Sequence, residues 1–172
     1  TLRAGLAIKR LNAQAAKLGI TTSGVPSRAR WADVLKLIDP AKHTIDRKWT
    51  IRKDGLACYR TSRQLISIPQ TAMGGYDMHM TFTIEDDTEA AVLLPVGSGY
   101  TSLVIGGWNG RYSGLCDIDG KNIASPNPTT VTTDYRNPPV KEGEKAAVNI
   151  SVRLTNENAK ITATLNGKPF VT

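Results

Sequence analysis

Three carboxylates stand close together near the middle of the chain, where Glu85, Asp87 and Glu89 have the spacing E-x-D-x-E. Two carboxyl groups about 5 to 5.5 Å apart can hydrolyse a glycosidic bond, one as nucleophile and the other as acid/base. Such a pair needs the middle of a strand, where alternate side chains share one face. Here Asp86 and Thr88 interrupt the apolar alternation that precedes them. We therefore interpret the trio as a solvated acidic turn, with catalysis as the alternative.

A second group of oxygen-bearing side chains follows at Asp117, Asp119 and Asn122. Carboxylate and amide oxygens are the ligands that Ca²⁺ prefers, and the ion takes about six to eight of them. Only three are offered here, and Asp119-Gly120 is also typical of a tight turn. We interpret the segment as a structural turn, with a weak Ca²⁺ site as the alternative. No other cofactor is predicted.

The histidines and cysteines do not predict a metal site. His43 and His79 have no Cys or carboxylate at ligand spacing, which argues against zinc. Cys58 and Cys116 show no spacing typical of a disulfide framework, so we expect free thiols, with one bridge as the alternative. The sequence also lacks a phosphate-binding loop, a dinucleotide fingerprint and a Ser or Cys nucleophile motif.

The aromatic and polar residues around Trp108 are the best candidates for ligand binding. Trp108 lies within the glycine-rich segment 106–110, and an exposed aromatic face can bury the apolar side of a pyranose. The predicted binding residues are Trp108, Asn109, Arg111, Tyr112 and Tyr135, with Arg136 and Asn137 as additions from the long loop. The alternative is that Trp108 folds back and plugs the end of a sheet. Trp31 and Trp49 are predicted core residues.

Asp77 and His79 form a second polar candidate. They lie on the polar face of the stretch 76–85, together with Thr81 and Thr83. If that face is concave, these side chains could form the floor of the same binding site. The alternative is a row of polar side chains that face solvent.

The strand pattern predicts the fold class. Residues 76–85 alternate strictly between apolar and polar, which is typical of a strand with one buried face. We expect 90–96 to pair with it as a hairpin across an acidic tip. Further strands are predicted at 49–51, 56–59, 64–68, 100–105, 115–118, 146–155 and 160–165, with Asp54-Gly55 and Asn166-Gly167 as turns. Because only residues 168–172 follow the last turn, we expect that one or two strands are missing or come from a partner.

Two amphipathic helices are predicted before the strands, at 2–18 and 28–38, separated by a linker at 21–26. The predicted organisation is therefore a basic helix with its linker (1–24), a helical lead-in (25–47) and a β-sandwich (48–172). The start, Thr1-Leu2-Arg3, is neither an initiator Met nor a signal peptide, so we expect a processed chain or a piece of a longer one. No apolar run approaches the roughly 20 residues that span a bilayer.

The basic residues are concentrated in the leading segment. The 172 residues have a net charge of +7, but residues 1–63 contain 14 Lys and Arg against 4 Asp and Glu, whereas the remainder contains 8 against 11. A basic segment ahead of a mildly acidic remainder indicates a docking surface for an acidic partner. The partner could be an anionic surface polymer, the acidic body of the same protein or of another one, or nucleic acid, which we expect least.

An ordered set of short motifs carries a resemblance to a known family. The motifs are 37–40 (LIDP), 66–69 (ISIP), 81–83 (TFT), 93–97 (LLPVG), 106–108 (GGW), 118–121 (IDGK) and 127–129 (NPT). With this set, residues 34–172 resemble the concanavalin A-like lectin/glucanase modules of large bacterial proteins, related to 3-keto-disaccharide hydrolases and glycoside hydrolase family 16. The resemblance implies a two-sheet jelly roll with further strands at its end, carbohydrate on a concave sheet or its rim, and an extracytoplasmic location.

The sequence and the resemblance together predict an all-β, antiparallel two-sheet jelly-roll sandwich with one or two N-terminal helices. The expected function is non-catalytic recognition of carbohydrate, or a structural role, in a larger bacterial assembly. One alternative is an enzyme related to the glycoside hydrolases, whose E-x-D-x-E spacing the acidic trio shares. The other is a docking module that works through residues 1–63.

Overall fold

The computed structural model describes residues 31–46, 48–58, 64–70, 72, 74–85, 89–125, 127–155 and 158–172. The predicted helix at 2–18 and the linker after it lie outside these residues. The chain divides into two compact units between residues 71 and 72. The sequence pattern placed the start of the sandwich earlier, at residue 48. Among the described residues, no helix is long and apolar enough to cross a membrane.

The first unit consists of short elements. It contains a 3-10 helix (Val34–Leu37), α1 (Pro40–His43), β1 (Thr44–Asp46), β2 (Trp49–Arg52), β3 (Gly55–Cys58) and β4 (Leu65–Ile66). β2 and β3 form an antiparallel hairpin, as the alternation of apolar residues predicted, and β1 pairs with β4. Each pair is a two-stranded sheet of its own.

The prediction of a helix at 28–38 is wrong over its described part. Only the 3-10 helix forms there, and Pro40 begins α1 instead of ending a longer helix. Asp39 caps α1 by accepting a hydrogen bond from the Ala41 N–H, 3.0 Å away. Because a residue before proline favours extended backbone, Asp39 separates the two helices. Trp31 is 69% exposed, so its assignment to the core is also wrong.

The second unit is a β-sandwich of two four-stranded antiparallel sheets. Its strands are β5 (Tyr76–Thr83), β6 (Ala90–Val96), β7 (Gly99–Gly106), β8 (Tyr112–Leu115), β9 (Val131–Thr132), β10 (Lys145–Leu154), β11 (Ala159–Leu165) and β12 (Lys168–Val171). The first sheet has the order β12-β11-β10-β5, and the second has the order β6-β7-β8-β9. The predicted all-β class is confirmed. Apart from β5 and β10, the strands that are neighbours in each sheet are also consecutive along the chain. The jelly-roll connectivity stays a prediction.

The core lies between the two sheets, where alternate residues of each strand face inward. Val148, Ile150 and Val152 of β10 are almost fully buried, and they pack with Leu94 and Leu103 of the second sheet. The turn Asn166-Gly167 joins β11 to β12 with φ values of 49° and 76°, which confirms the predicted hairpin. Asn and Gly tolerate this left-handed conformation, and its twist suits a two-residue hairpin.

The predicted hairpin between 76–85 and 90–96 is wrong. β5 pairs with β10, and β6 pairs with β7, so the two strands belong to opposite sheets. In the β5–β10 register Met80 lies opposite Val148 and Met78 lies opposite Ile150, which places the apolar side chains of both strands on the core side. Packed sheets are about 10 Å apart, a gap that a few extended residues can cross. The acidic segment therefore connects the sheets.

Candidate functional site

The loop between β8 and β9 covers part of the outer face of the second sheet. Ile123 in this loop is fully buried and packs against Val104, Cys116 and Tyr112. This small second core is separate from the main one between the sheets. It fixes the loop and holds Tyr112, the first residue of β8, in place beside the turn that carries Trp108.

Asn127 ties the same loop to β8 through its amide group. Its Nδ2 donates to the carbonyl oxygens of Leu115 (2.8 Å) and Lys121 (3.3 Å), and its Oδ1 accepts from the Thr129 N–H (2.9 Å) and hydroxyl (2.7 Å). At Gly114, with φ +136°, an added Cβ would lie 2.4 Å from the Thr129 carbonyl oxygen. Only glycine permits this approach. The loop is therefore a fixed part of the sandwich.

The turn between β7 and β8 holds Trp108 in an unusual conformation. Gly107–Gly110, which we call the Trp108 turn, forms one helix-like turn closed by the Arg111 N–H and the Gly107 carbonyl at 3.0 Å. Trp108 (φ 53°, ψ 55°) and Asn109 (φ 59°, ψ 47°) are both left-handed. Asn tolerates this region, but it is rare for a bulky aromatic residue. The structure therefore places strain at the predicted binding residue.

Neighbouring segments stabilise the Trp108 turn and leave its side chains in solvent. Thr133 donates its N–H to the Arg111 carbonyl (2.8 Å) and its hydroxyl to the Gly110 carbonyl. Trp108 is 47% exposed, and its ring meets Tyr112 edge-on with 6.3 Å between centroids. The alternative in which Trp108 plugs the end of the sandwich is therefore wrong.

Tyr135 lies next to the Trp108 turn, as the candidate site requires. The Cζ of Arg111 is 5.6 Å from the centre of the Tyr135 ring, and the Cζ of Arg136 is 5.2 Å from it. Asp134 Oδ1 accepts from the Arg136 N–H at 3.0 Å, and the Asn137 N–H donates to the Asp134 carbonyl at 2.8 Å. This turn presents Tyr135, which is 50% exposed, together with Arg136.

We call Trp108, Asn109, Arg111, Tyr112, Tyr135 and Arg136 the aromatic–arginine surface. It combines three aromatic rings, of which Trp108 and Tyr135 are half-exposed, with two guanidinium groups and one amide. Aromatic faces can contact apolar C–H groups, while guanidinium and amide N–H groups can donate to oxygen atoms. These groups can therefore bind a ligand that has both apolar faces and oxygen atoms. Arg136 was predicted only as an additional binding residue, because it follows Tyr135 in the sequence.

Asp77 and His79 do not join this surface. Both point away from the core on the outer face of the first sheet, whereas the Trp108 turn belongs to the second sheet. Arg153 contacts both carboxylate oxygens of Asp77, at 2.7 and 2.9 Å, and this hydrogen-bonded ion pair holds the Asp77 pKa below its usual value. His79 Nδ1 is 2.7 Å from Asn149 Oδ1. Asp77 and His79 therefore belong to a row of polar side chains that face solvent, and this row is separate from the Trp108 turn.

The segment proposed as a weak Ca²⁺ site is a turn. Ile118 and Lys121 exchange two backbone hydrogen bonds across Asp119-Gly120, and both turn residues have positive φ. Asn122 Oδ1 accepts from the Ala124 and Ser125 N–H groups, both at 2.9 Å. The described part of the chain contains no cluster of three or more His, Cys, Asp or Glu that could hold a metal ion.

The remaining predicted groups are dispersed. Glu85 and Glu89 are both exposed at the ends of the connection between the sheets, and Asp87 lies outside the described residues. Cys58 is exposed and Cys116 is buried, and both are free thiols. His43 Nδ1 accepts from the Asp39 N–H at 2.8 Å, beside α1.

The basic surplus of residues 1–63 stays largely outside the described residues, which include only five of the 14 Lys and Arg. Two of these five, Lys36 and Lys42, pair with Asp33 and Asp39 at 3.3 Å. The acidic docking partner and nucleic acid therefore stay predictions.

A shallow groove of about 270 Å³ lies elsewhere on the sandwich, beside the hairpin of β11 and β12. It is lined by Pro139, Leu165, Asn166, Lys168, Pro169 and Phe170, and it shares no residue with the aromatic–arginine surface. The candidate site is thus an exposed surface at the end of the β7–β8 hairpin.

The chain matches no protein-family model, no curated protein and no solved structure.

Proposed function

We propose that the β-sandwich is a non-catalytic carbohydrate-recognition module that binds through the aromatic–arginine surface. The observation that carries this proposal is the backbone and exposure of Trp108. A left-handed non-glycine residue costs about 1–2 kcal/mol, and glycine at this position would avoid that cost. The indole is nevertheless 47% exposed, so about half of its surface stays open to a ligand. Strain at an exposed aromatic residue is typical of a binding site.

The chemistry of the surface suits a sugar chain. Saccharides have apolar C–H faces and hydroxyl edges, which match the Trp108 and Tyr135 rings and the donors of Asn109 and Arg111. Because these side chains stand on an exposed turn instead of lining a cleft, an extended chain that lies across them is favoured over an enclosed monosaccharide. In line with the resemblance to lectin-like modules, we place this activity in a larger extracytoplasmic bacterial protein.

The test is a glycan array followed by calorimetric titration of the best ligand. Replacing Trp108 by Ala should weaken binding about fivefold or more, because a stacked aromatic ring contributes at least about 1 kcal/mol. Trp31→Ala is the matched control, since Trp31 is an exposed tryptophan in the other unit. Circular dichroism and thermal melting would verify that both variants fold. Equal affinities for wild type and Trp108→Ala, or no glycan bound at all, would refute the proposal.

A further inference from the structure

Two positive charges converge on one exposed ring within the aromatic–arginine surface. The Arg111 and Arg136 guanidinium carbons lie 5.6 and 5.2 Å from the centre of Tyr135, and both side chains belong to exposed residues. Arginine stays protonated at any physiological pH. Guanidinium groups stack well on aromatic faces, and this contact orients their N–H donors. Tyr135 thus positions two guanidinium groups beside the Trp108 turn.

Most donors of these two groups have no partner within the described chain. Arg136 Nε donates to the Tyr135 hydroxyl at 2.9 Å, which is the one hydrogen bond between either guanidinium and a described residue. Neither group forms an ion pair with a carboxylate among the described residues. By contrast, Arg153 is paired through two hydrogen bonds with Asp77. As far as the described residues go, most N–H donors of the two guanidiniums are therefore available to a ligand.

We propose that the ligand of the aromatic–arginine surface is an anionic saccharide, a sugar chain with carboxylate or sulfate groups held by Arg111 and Arg136. This inference rests on the proposed carbohydrate function and specifies its ligand class. Planar guanidinium donors match the paired oxygens of a carboxylate or sulfate, with bonds about twice as strong as neutral ones. The Trp108 ring would take the apolar sugar face next to the charged group.

The charge of the whole sandwich favours a saccharide over nucleic acid. Residues 64–172 have 8 Lys and Arg against 11 Asp and Glu, so the two arginines are a local cationic site within an acidic stretch of the sequence. Nucleic-acid binding draws on a broad basic surface that neutralises many phosphates. A local pair of guanidiniums beside aromatic rings fits a ligand with sparse anionic groups.

The experiment compares three probes by calorimetric titration at low and high salt. They are an oligogalacturonate, the same oligomer with methyl-esterified carboxylates, and a sulfated oligosaccharide of similar length. The double variant Arg111→Gln/Arg136→Gln should lose about tenfold in affinity for the anionic probe that wild type binds, and salt should weaken wild type more than the variant. The control Lys145→Gln/Lys160→Gln removes the same charge from the first sheet and should bind like wild type.

Several results would overturn the assignment. Equal affinity for the free and esterified oligomers with no binding of the sulfated probe would do so, as would wild-type affinity in the double arginine variant. An oligonucleotide that binds equally well through the same arginines would replace the saccharide. Trp108→Ala separates this inference from the proposed function. Loss of glycan binding in Trp108→Ala alone keeps the function and rejects the anionic ligand, whereas loss in the arginine variant alone rejects the aromatic platform.

Discussion

The left-handed backbone at Trp108 makes an unusual prediction about stability. Glycine normally destabilises a regular element relative to alanine, but Trp108→Gly should be more stable than Trp108→Ala. Both variants lose the same indole and the same edge contact with Tyr112. They differ in the backbone, because alanine at φ 53° retains the strain and glycine does not.

The magnitude follows from two opposing terms. Glycine removes the backbone strain of a left-handed non-glycine residue, which stabilises the folded state by about 1–2 kcal/mol. The larger conformational entropy of glycine in the unfolded chain costs about 0.5–1 kcal/mol. The midpoints of the two terms favour Trp108→Gly by about 0.8 kcal/mol, or an increase of about 4 °C in the melting temperature of a unit of this size.

The assay is denaturant unfolding of both variants, with the same pair of substitutions at Thr81 as a control. Thr81 is an exposed residue of β5 with ordinary extended backbone, so Thr81→Gly should be less stable than Thr81→Ala by about 0.5–1 kcal/mol. The two positions should thus give opposite signs. If glycine were the less stable variant at both positions, the strain argument for Trp108, and with it the main support for the proposed site, would be wrong.

Two further predictions concern the polar groups that hold the sandwich. Asn127→Ala removes four hydrogen bonds of a buried amide and should lower the unfolding free energy by about 2–4 kcal/mol. The control Asn122→Ala, at an exposed turn, should lower it by less than about 1 kcal/mol. Equal losses of unfolding free energy in denaturant would contradict this prediction. Because Arg153 lowers the Asp77 pKa in the folded state, the pair stabilises the fold above the unfolded pKa of about 3.9 and loses this contribution as pH falls through the folded value. Asp77→Asn should therefore be about 0.5 kcal/mol less stable than wild type at pH 7 and equal to it once the pH is below the folded pKa of Asp77. A gap that persists at low pH would contradict the assignment to this ion pair.

Local pattern predicted most strands of the sandwich. β5, β10 and β11 follow from alternation of apolar and polar residues, because a strand with one buried face repeats every two residues whatever its partner. The Asn166-Gly167 turn was likewise predictable, since few residues tolerate positive φ. The glycine-rich segment around Trp108 identified the position of the Trp108 turn for the same reason.

The partners of these elements were decided by tertiary structure. An acidic connection suits both a hairpin and a crossing between sheets, so the sequence did not distinguish β6 from β10 as the neighbour of β5. The alternation of apolar and polar residues also does not determine which exposed side chains of different strands lie near one another. For that reason the pattern grouped Asp77 with Trp108, while the fold placed them on different sheets.

The sequence by itself determined the all-β class and the residue types of the candidate site. The three-dimensional fold decided that Trp108 is left-handed and exposed, that Arg111 meets Tyr135, and that Trp31 lies outside the core. The reason is that alternation and turn chemistry are properties of neighbouring residues. Contacts between residues 111 and 135 depend on how the loop after β8 closes over the sheet, which the packing of Ile123 and the hydrogen bonds of Asn127 determine.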